Sequence, residues 1–136
     1  SMAHWLYMAL RRSGRDAEAA RVLAPMRRDM AVVENGAYHR LMLLYKGELP
    51  PDSVLKAGAG GEMSVTDASA AYGVANWHFY NGRRAEAVRL WQRIVAGGQW
   101  GAFGTIAAEV ELARLRATAV PGADLRPLAA TPAETP

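Results

Sequence analysis

Apolar residues recur along this chain at helical intervals, in blocks punctuated by glycine. An aromatic-rich amphipathic block runs from Trp5 to Arg12, and a second runs from Tyr72 to Tyr80. Apolar positions spaced by three and four predict helices with one buried face. Gly14 follows the first block and Gly82 the second, each where a helix would need a left-handed residue to end. A second helix then opens in both places with the pattern Ala-Glu-Ala. The small Ala19 and Ala87 would let the paired helices approach, and Leu23 and Trp91 would fill the space between them. Pro25 lacks the N–H that would bond the carbonyl of Arg21, so it predicts a bend or an early stop in the second helix.

The two blocks are copies. Residues 14–23 and 82–91 share six of ten identities, at an offset of 68 residues. A period of 34 fits that offset twice, and it is the period of a helix–turn–helix repeat. The intervening copy is degenerate. Tyr38 to Lys46 reads as its first helix, with Asn35 as a cap. Gly47 stands one residue early in the turn, and Leu49-Pro50-Pro51-Asp52 replaces Ala-Glu-Ala. A short helix from about Asp52 to Ala57 follows, then a loop at Gly58 to Gly61. Ser64-Val65-Thr66-Asp67 predicts a capping box opening the next helix. After Gly97-Gly98, Trp100 to Ala117 reads as a terminal helix. Its polar outer face would carry Glu109, Glu111, Arg114 and Arg116, and Gly101 and Gly104 would permit close packing. The resulting organisation is a helical repeat domain over residues 3–118. Its repeats cover about 3–33, 35–61 and 65–98, with a capping helix at 100–118 and a Pro/Ala-rich tail at 119–136.

This spacing and the Gly-x-x-x-Glu-Ala turn resemble the tetratricopeptide repeat family. The Trp, Leu, Gly and Tyr pattern of that family's first helix is not reproduced. Tyr7 and Ala75 occupy its glycine position, and Leu10 and His78 its tyrosine position. A related class with somewhat longer repeats predicts the same architecture. The resemblance implies an all-α fold, a right-handed superhelix of antiparallel helix hairpins whose first helices line a concave groove. Groove-facing positions would then be Met8, Arg11 and Arg12 in the first repeat, and Tyr38, Met42, Tyr45 and Lys46 in the degenerate one. In the third repeat they would be Tyr72, Asn76, Phe79 and Tyr80. Cations, aromatics and flexible methionines together suit an acidic, hydrophobic peptide. The same positions at the same spacing also fit a core, and the sequence leaves both readings open, with Tyr38, Tyr45 and Tyr72 the stronger groove candidates and Trp5 and Trp91 assigned to packing. The family's two-carboxylate clamp is not carried over, because His4 and Met8 stand where Lys and Asn would be needed.

Composition narrows the chemistry. The chain has no cysteine, which removes disulfides, zinc ribbons and thiol nucleophiles. A net charge of +3, with the arginines spread over several segments, argues against nucleic acid. No apolar run approaches the length of a membrane span. His4, His39 and His78 match no metal-ligand spacing, no serine sits in a nucleophile elbow, and Gly58 to Gly61 lacks the lysine of a phosphate loop. The reading is therefore non-catalytic, with no cofactor and no metal: a module that binds a peptide or a partner protein in a groove lined by aromatics and arginines. A terminal segment of a longer array, self-associating through an exposed repeat end near Trp5, is the alternative, and a regulatory domain of an enzyme is a third. Ser1-Met2 resembles a tag remnant, which points to a native start further upstream. The compartment, cytoplasmic or periplasmic, stays open.

Overall fold

The computed structural model describes residues 2–32, 36–55 and 63–118. Within them the chain is all-helical, with seven helices and no strand. They are α1 (Met2–Arg12), α2 (Asp16–Leu23), α3 (Gly36–Tyr45), α4 (Pro51–Leu55), α5 (Val65–Tyr80), α6 (Arg84–Ala96) and α7 (Phe103–Ala117).

Three of the helix ends share one device. Gly14, Gly47 and Gly82 have φ of 76°, 81° and 81°. At each, the glycine N–H returns to a carbonyl three residues back, and the next N–H returns to one five residues back. Arg15 N donates to Leu10 O at 2.8 Å, Glu48 N to Leu43 O at 2.8 Å, and Arg83 N to His78 O at 2.9 Å. This closes the open carbonyls of α1, α3 and α5. The degenerate middle copy therefore keeps the turn chemistry of its neighbours, although the helix that follows it is reduced to five residues.

Other expectations are met or shifted by local rules. α2 stops at Leu23, two residues before Pro25. The irregular stretch after it is tied to α3 and its turn. His39 Nε2 lies 2.8 Å from Arg27 O, Lys46 Nζ donates to Met26 O, and Arg28 donates to Glu48 O. The capping box of α5 is formed: Asp67 N donates to Ser64 Oγ and Ser64 N donates to Asp67 Oδ2, both at 3.1 Å. α4 begins at Pro51, where the missing N–H is harmless. The proposed cap Asn35, residues 56 and 57 of the expected short helix, the Gly58–Gly61 loop and the 119–136 tail lie outside the described residues.

α5 is the centre of the molecule. Residues 68–76 are all buried, so the helix is covered on every side rather than along one stripe. It packs against α1, α3, α4, α6 and α7. Small residues make this possible. A Cβ on Gly73 would lie within 2.8 Å of Leu41 Cδ1 and Tyr45 Oη and 2.9 Å of His4 Cε1, so α1, α3 and α5 converge there. A Cβ on Gly104 would lie 2.3 Å from the Ala68 carbonyl oxygen, which brings α7 directly onto the α5 backbone. Gly101 has open space around it and plays no such part. Trp91 is fully buried between α5 and α6, against the Phe79 ring at 5.4 Å.

The terminal helix differs from expectation in two ways. It begins at Phe103 rather than Trp100, after a turn in which Gly98 has φ of 76°. Its exposed surface is mixed: Glu109, Arg114 and Arg116 are exposed as expected, but Phe103, Ile106 and Val110 are exposed beside them, and Glu111 turns inward and is buried. Among the described residues, four of the eight exposed large apolar side chains, Trp100, Phe103, Ile106 and Val110, lie at the α7 end. At the other end Met2 and Leu6 are exposed, but Trp5 is half-buried, its ring stacked 6.0 Å from that of Tyr72.

Candidate functional site

A cleft of about 360 Å³ opens between α1, α5 and α7. α1 contributes Trp5, Met8, Ala9 and Arg12, α5 contributes Tyr72 and Asn76, and α7 contributes Glu111 and Arg114. The spacing explains the grouping. Trp5, Met8, Ala9 and Arg12 recur at three and four and so share one side of α1, and Tyr72 and Asn76 are one turn apart on α5.

A hydrogen-bonded ion pair forms the base of the cleft. Arg12 Nη1 donates to Glu111 Oε1 at 2.8 Å and Nη2 donates to Oε2 at 3.1 Å, a two-pronged pairing between residues 99 apart in sequence. Arg12 Nη1 also donates to Asn76 Oδ1 at 2.7 Å, and Tyr72 Oη donates to Glu111 Oε1 at 3.2 Å. The guanidinium lies over the Phe79 ring, 4.5 Å from its centroid. Burial first, and then the Glu111 carboxylate, push the Tyr72 phenol far above its ordinary range, so it stays a hydrogen-bond donor. Arg12 is thus spoken for. Arg114, at the rim, is exposed and has no ion-pair partner among the described residues.

The residues read from the sequence divide into three groups. Met8, Arg12, Tyr72 and Asn76 meet in the cleft, and Phe79 supports Arg12 from beneath. Arg11 and Tyr80 form a separate cluster. Arg11 donates to Tyr7 Oη at 3.0 Å, pairs with Asp16 at 3.0 Å, and lies 4.4 Å from the Tyr80 ring centroid. The α3 residues Tyr38, Met42, Tyr45 and Lys46 do not join the cleft. Met42 and Tyr45 are buried, Tyr38 is half-buried against His4, and Lys46 pairs with Glu48 at 3.4 Å.

The expectation of exposed aromatics is corrected here for Tyr45 and Tyr72, and that of exposed contacts for Met8, Met42 and Asn76; all five are buried. The cause is the close approach at Gly73, which lays α1 across α3 and α5 and covers what an open groove would present. His4 shows the result most clearly. It is fully buried, shares a hydrogen bond with Tyr45 Oη through Nδ1 at 3.1 Å, and has no partner at Nε2 among the described residues. Burial pushes its pKa down to about 3, so it is neutral at physiological pH.

Trp5, Ala9, Glu111 and Arg114 were not among the site residues read from the sequence. Glu111 had a signal: it stands in register with Ala108, Leu112 and Leu115, so a carboxylate interrupts the inward apolar stripe of α7. A buried carboxylate demands a cation, and Arg12 supplies it. Chemically the cleft offers an indole and phenol wall, a thioether and, among the described residues, one guanidinium without an ion-pair partner. No group of three metal-capable side chains occurs among the described residues, and no described helix is long and apolar enough to cross a membrane. Comparisons with family models, with curated proteins and with solved structures find no match.

Proposed function

We propose that this chain is a protein-interaction module, a tetratricopeptide-like array of helix hairpins that binds an acidic, hydrophobic peptide segment in the cleft between α1, α5 and α7. The carrying observation is the division of labour between its two arginines. Arg12 is neutralised by Glu111 and builds the cleft, while Arg114 stands at the rim with no carboxylate paired to it among the described residues. A peptide carboxylate beside an apolar side chain would complete that arrangement, with the side chain against Trp5 and Tyr72.

The reading is tested by capture from native lysate with the parent chain beside a Trp5→Ala, Arg114→Glu variant. Among the described residues neither side chain makes a hydrogen bond or ion pair, but Trp5 packs on the core beside His4 and Tyr72, so the variant's circular dichroism and urea midpoint are measured beside the parent's. A protein captured by the parent and lost by the variant supports the cleft. Equal capture by both would sink it. The exposed apolar stripe of α7 favours a second reading, in which this domain is an end of a longer assembly and stacks on a neighbour.

A further inference from the structure

Among the described residues, the exposed apolar stripe of α7 is an unpartnered seam. Phe103, Ile106, Val110, Ala113 and Ala117 are all exposed, and they follow one another at intervals of three, four, three and four. That is the spacing by which two helices interlock side chains along a common line. Phe103 is 75%, Ile106 46% and Val110 44% exposed, and Trp100, at 84%, extends the patch just before the helix. The side chains flanking the seam are Glu109 and Arg116 on one edge and Arg114 on the other.

We infer that α7 is a self-association helix, packing antiparallel against the α7 of a second copy of this chain. The seam is complementary to itself in that arrangement. A two-fold axis between Ile106 and Val110 sets Phe103 opposite Ala113 and Ile106 opposite Val110, so each layer holds one larger and one smaller side chain. A parallel pairing would stack Phe103 on Phe103 and Ala113 on Ala113, forcing the helices apart at one end and leaving a gap at the other. The antiparallel pairing brings the two Glu109 carboxylates near each other. At an exposed, water-screened site that repulsion is too weak to outweigh packing. The same pairing carries Arg116 of one copy toward Trp100 of the other, a cation against an exposed indole face.

The area agrees with a second copy. Two nearly free aromatic side chains and two half-exposed aliphatic ones present on the order of 500 Å² per copy. The pair would bury about 1,000 Å², the lower bound for a specific interface. An interface at that lower bound is weak and reversible, and of the α7 residues lining the cleft only Arg114 borders the seam. The inference does not rest on peptide binding.

Sedimentation of the full chain tests it, beside an Ile106→Glu, Val110→Glu variant. The parent is expected to pass from monomer to dimer across the micromolar range. The variant should stay monomeric with unchanged circular dichroism, since both positions face solvent in one copy. A parent that is monomeric at every concentration, or a dimer that survives both glutamates, overturns the proposal. Because the chain has no cysteine, orientation can be read by disulfide trapping. Copies carrying Phe103→Cys should link to copies carrying Ala113→Cys. Self-linking of Phe103→Cys alone would show a parallel pairing and overturn the arrangement.

Discussion

Each face of α7 carries an exception to the usual rule. Its inner face buries a carboxylate, Glu111, and its outer face exposes Phe103, Ile106 and Val110. The difference teaches what each face is built to meet. Glu111 is satisfied within the chain by Arg12 and Tyr72; removing Arg12 would strand the carboxylate, and removing Glu111 would leave the Tyr72 phenol without its acceptor. The outer residues are satisfied by nothing among the described residues. A charge is tolerated inside where its partner is fixed, and an apolar stripe is tolerated outside where a partner can arrive.

The contrast can be broken most severely at Gly104. A side chain there collides with the α5 backbone at Ala68, which has no flexible end to move aside. Gly104→Val is expected to cost about 3 kcal/mol or more, read as a lower urea midpoint. A neutral outcome would mean α7 does not sit on α5 as described. Next comes Glu111→Ala, which strands Arg12 and Tyr72. Arg12 keeps some contact with water, so the loss should be about 2 kcal/mol, below that of a fully buried pair. An unchanged midpoint would remove the inner face from the comparison.

His4 sharpens the same contrast by pH. Its folded-state pKa, near 3, lies below the ordinary 6.5, so the unfolded chain takes up a proton that the folded chain refuses. Stability is therefore complete above the unfolded value and is lost as pH falls from about 6.5 toward 3. The slope is about 1.4 kcal/mol per pH unit, or roughly 2 kcal/mol between pH 7 and pH 5. His4→Phe should flatten that part of the urea-midpoint profile, and an equally steep profile would show that another group is responsible. The smallest effect is expected outside. Ile106→Glu should change the unfolding free energy of the monomer by no more than about 0.5 kcal/mol. A large loss would mean that Ile106 is already packed within one chain.

What the sequence made legible was what local chemistry decides. Gly14 and Gly82 announce left-handed helix ends because little else fits there, and Ser64 with Asp67 announces a helix start. Gly47 was recognised too, even with its following helix reduced, since the turn depends on residues next to it. The direction of Glu111 was not legible. α7 carries two apolar stripes, Phe103-Ile106-Val110 and Ala108-Leu112-Leu115, and periodicity alone does not choose which faces in. The burial of Tyr45 and Tyr72 was hidden for a related reason. It follows from α1 crossing at Gly73, a contact between residues far apart in sequence that no local pattern encodes.

α1 and α7 both pack on α5, and the cleft lies where Arg12 of α1 meets Glu111 of α7; a double-mutant cycle on that pair tests it most directly. Unfolding would be measured for Arg12→Ala, Glu111→Ala, the double variant and the parent. A coupling of about 1–3 kcal/mol is predicted, because the two side chains meet through two hydrogen bonds at a site where Glu111 is buried. A coupling near zero would show that the ends of the chain do not meet there, and the cleft with its proposed ligand would fall with it.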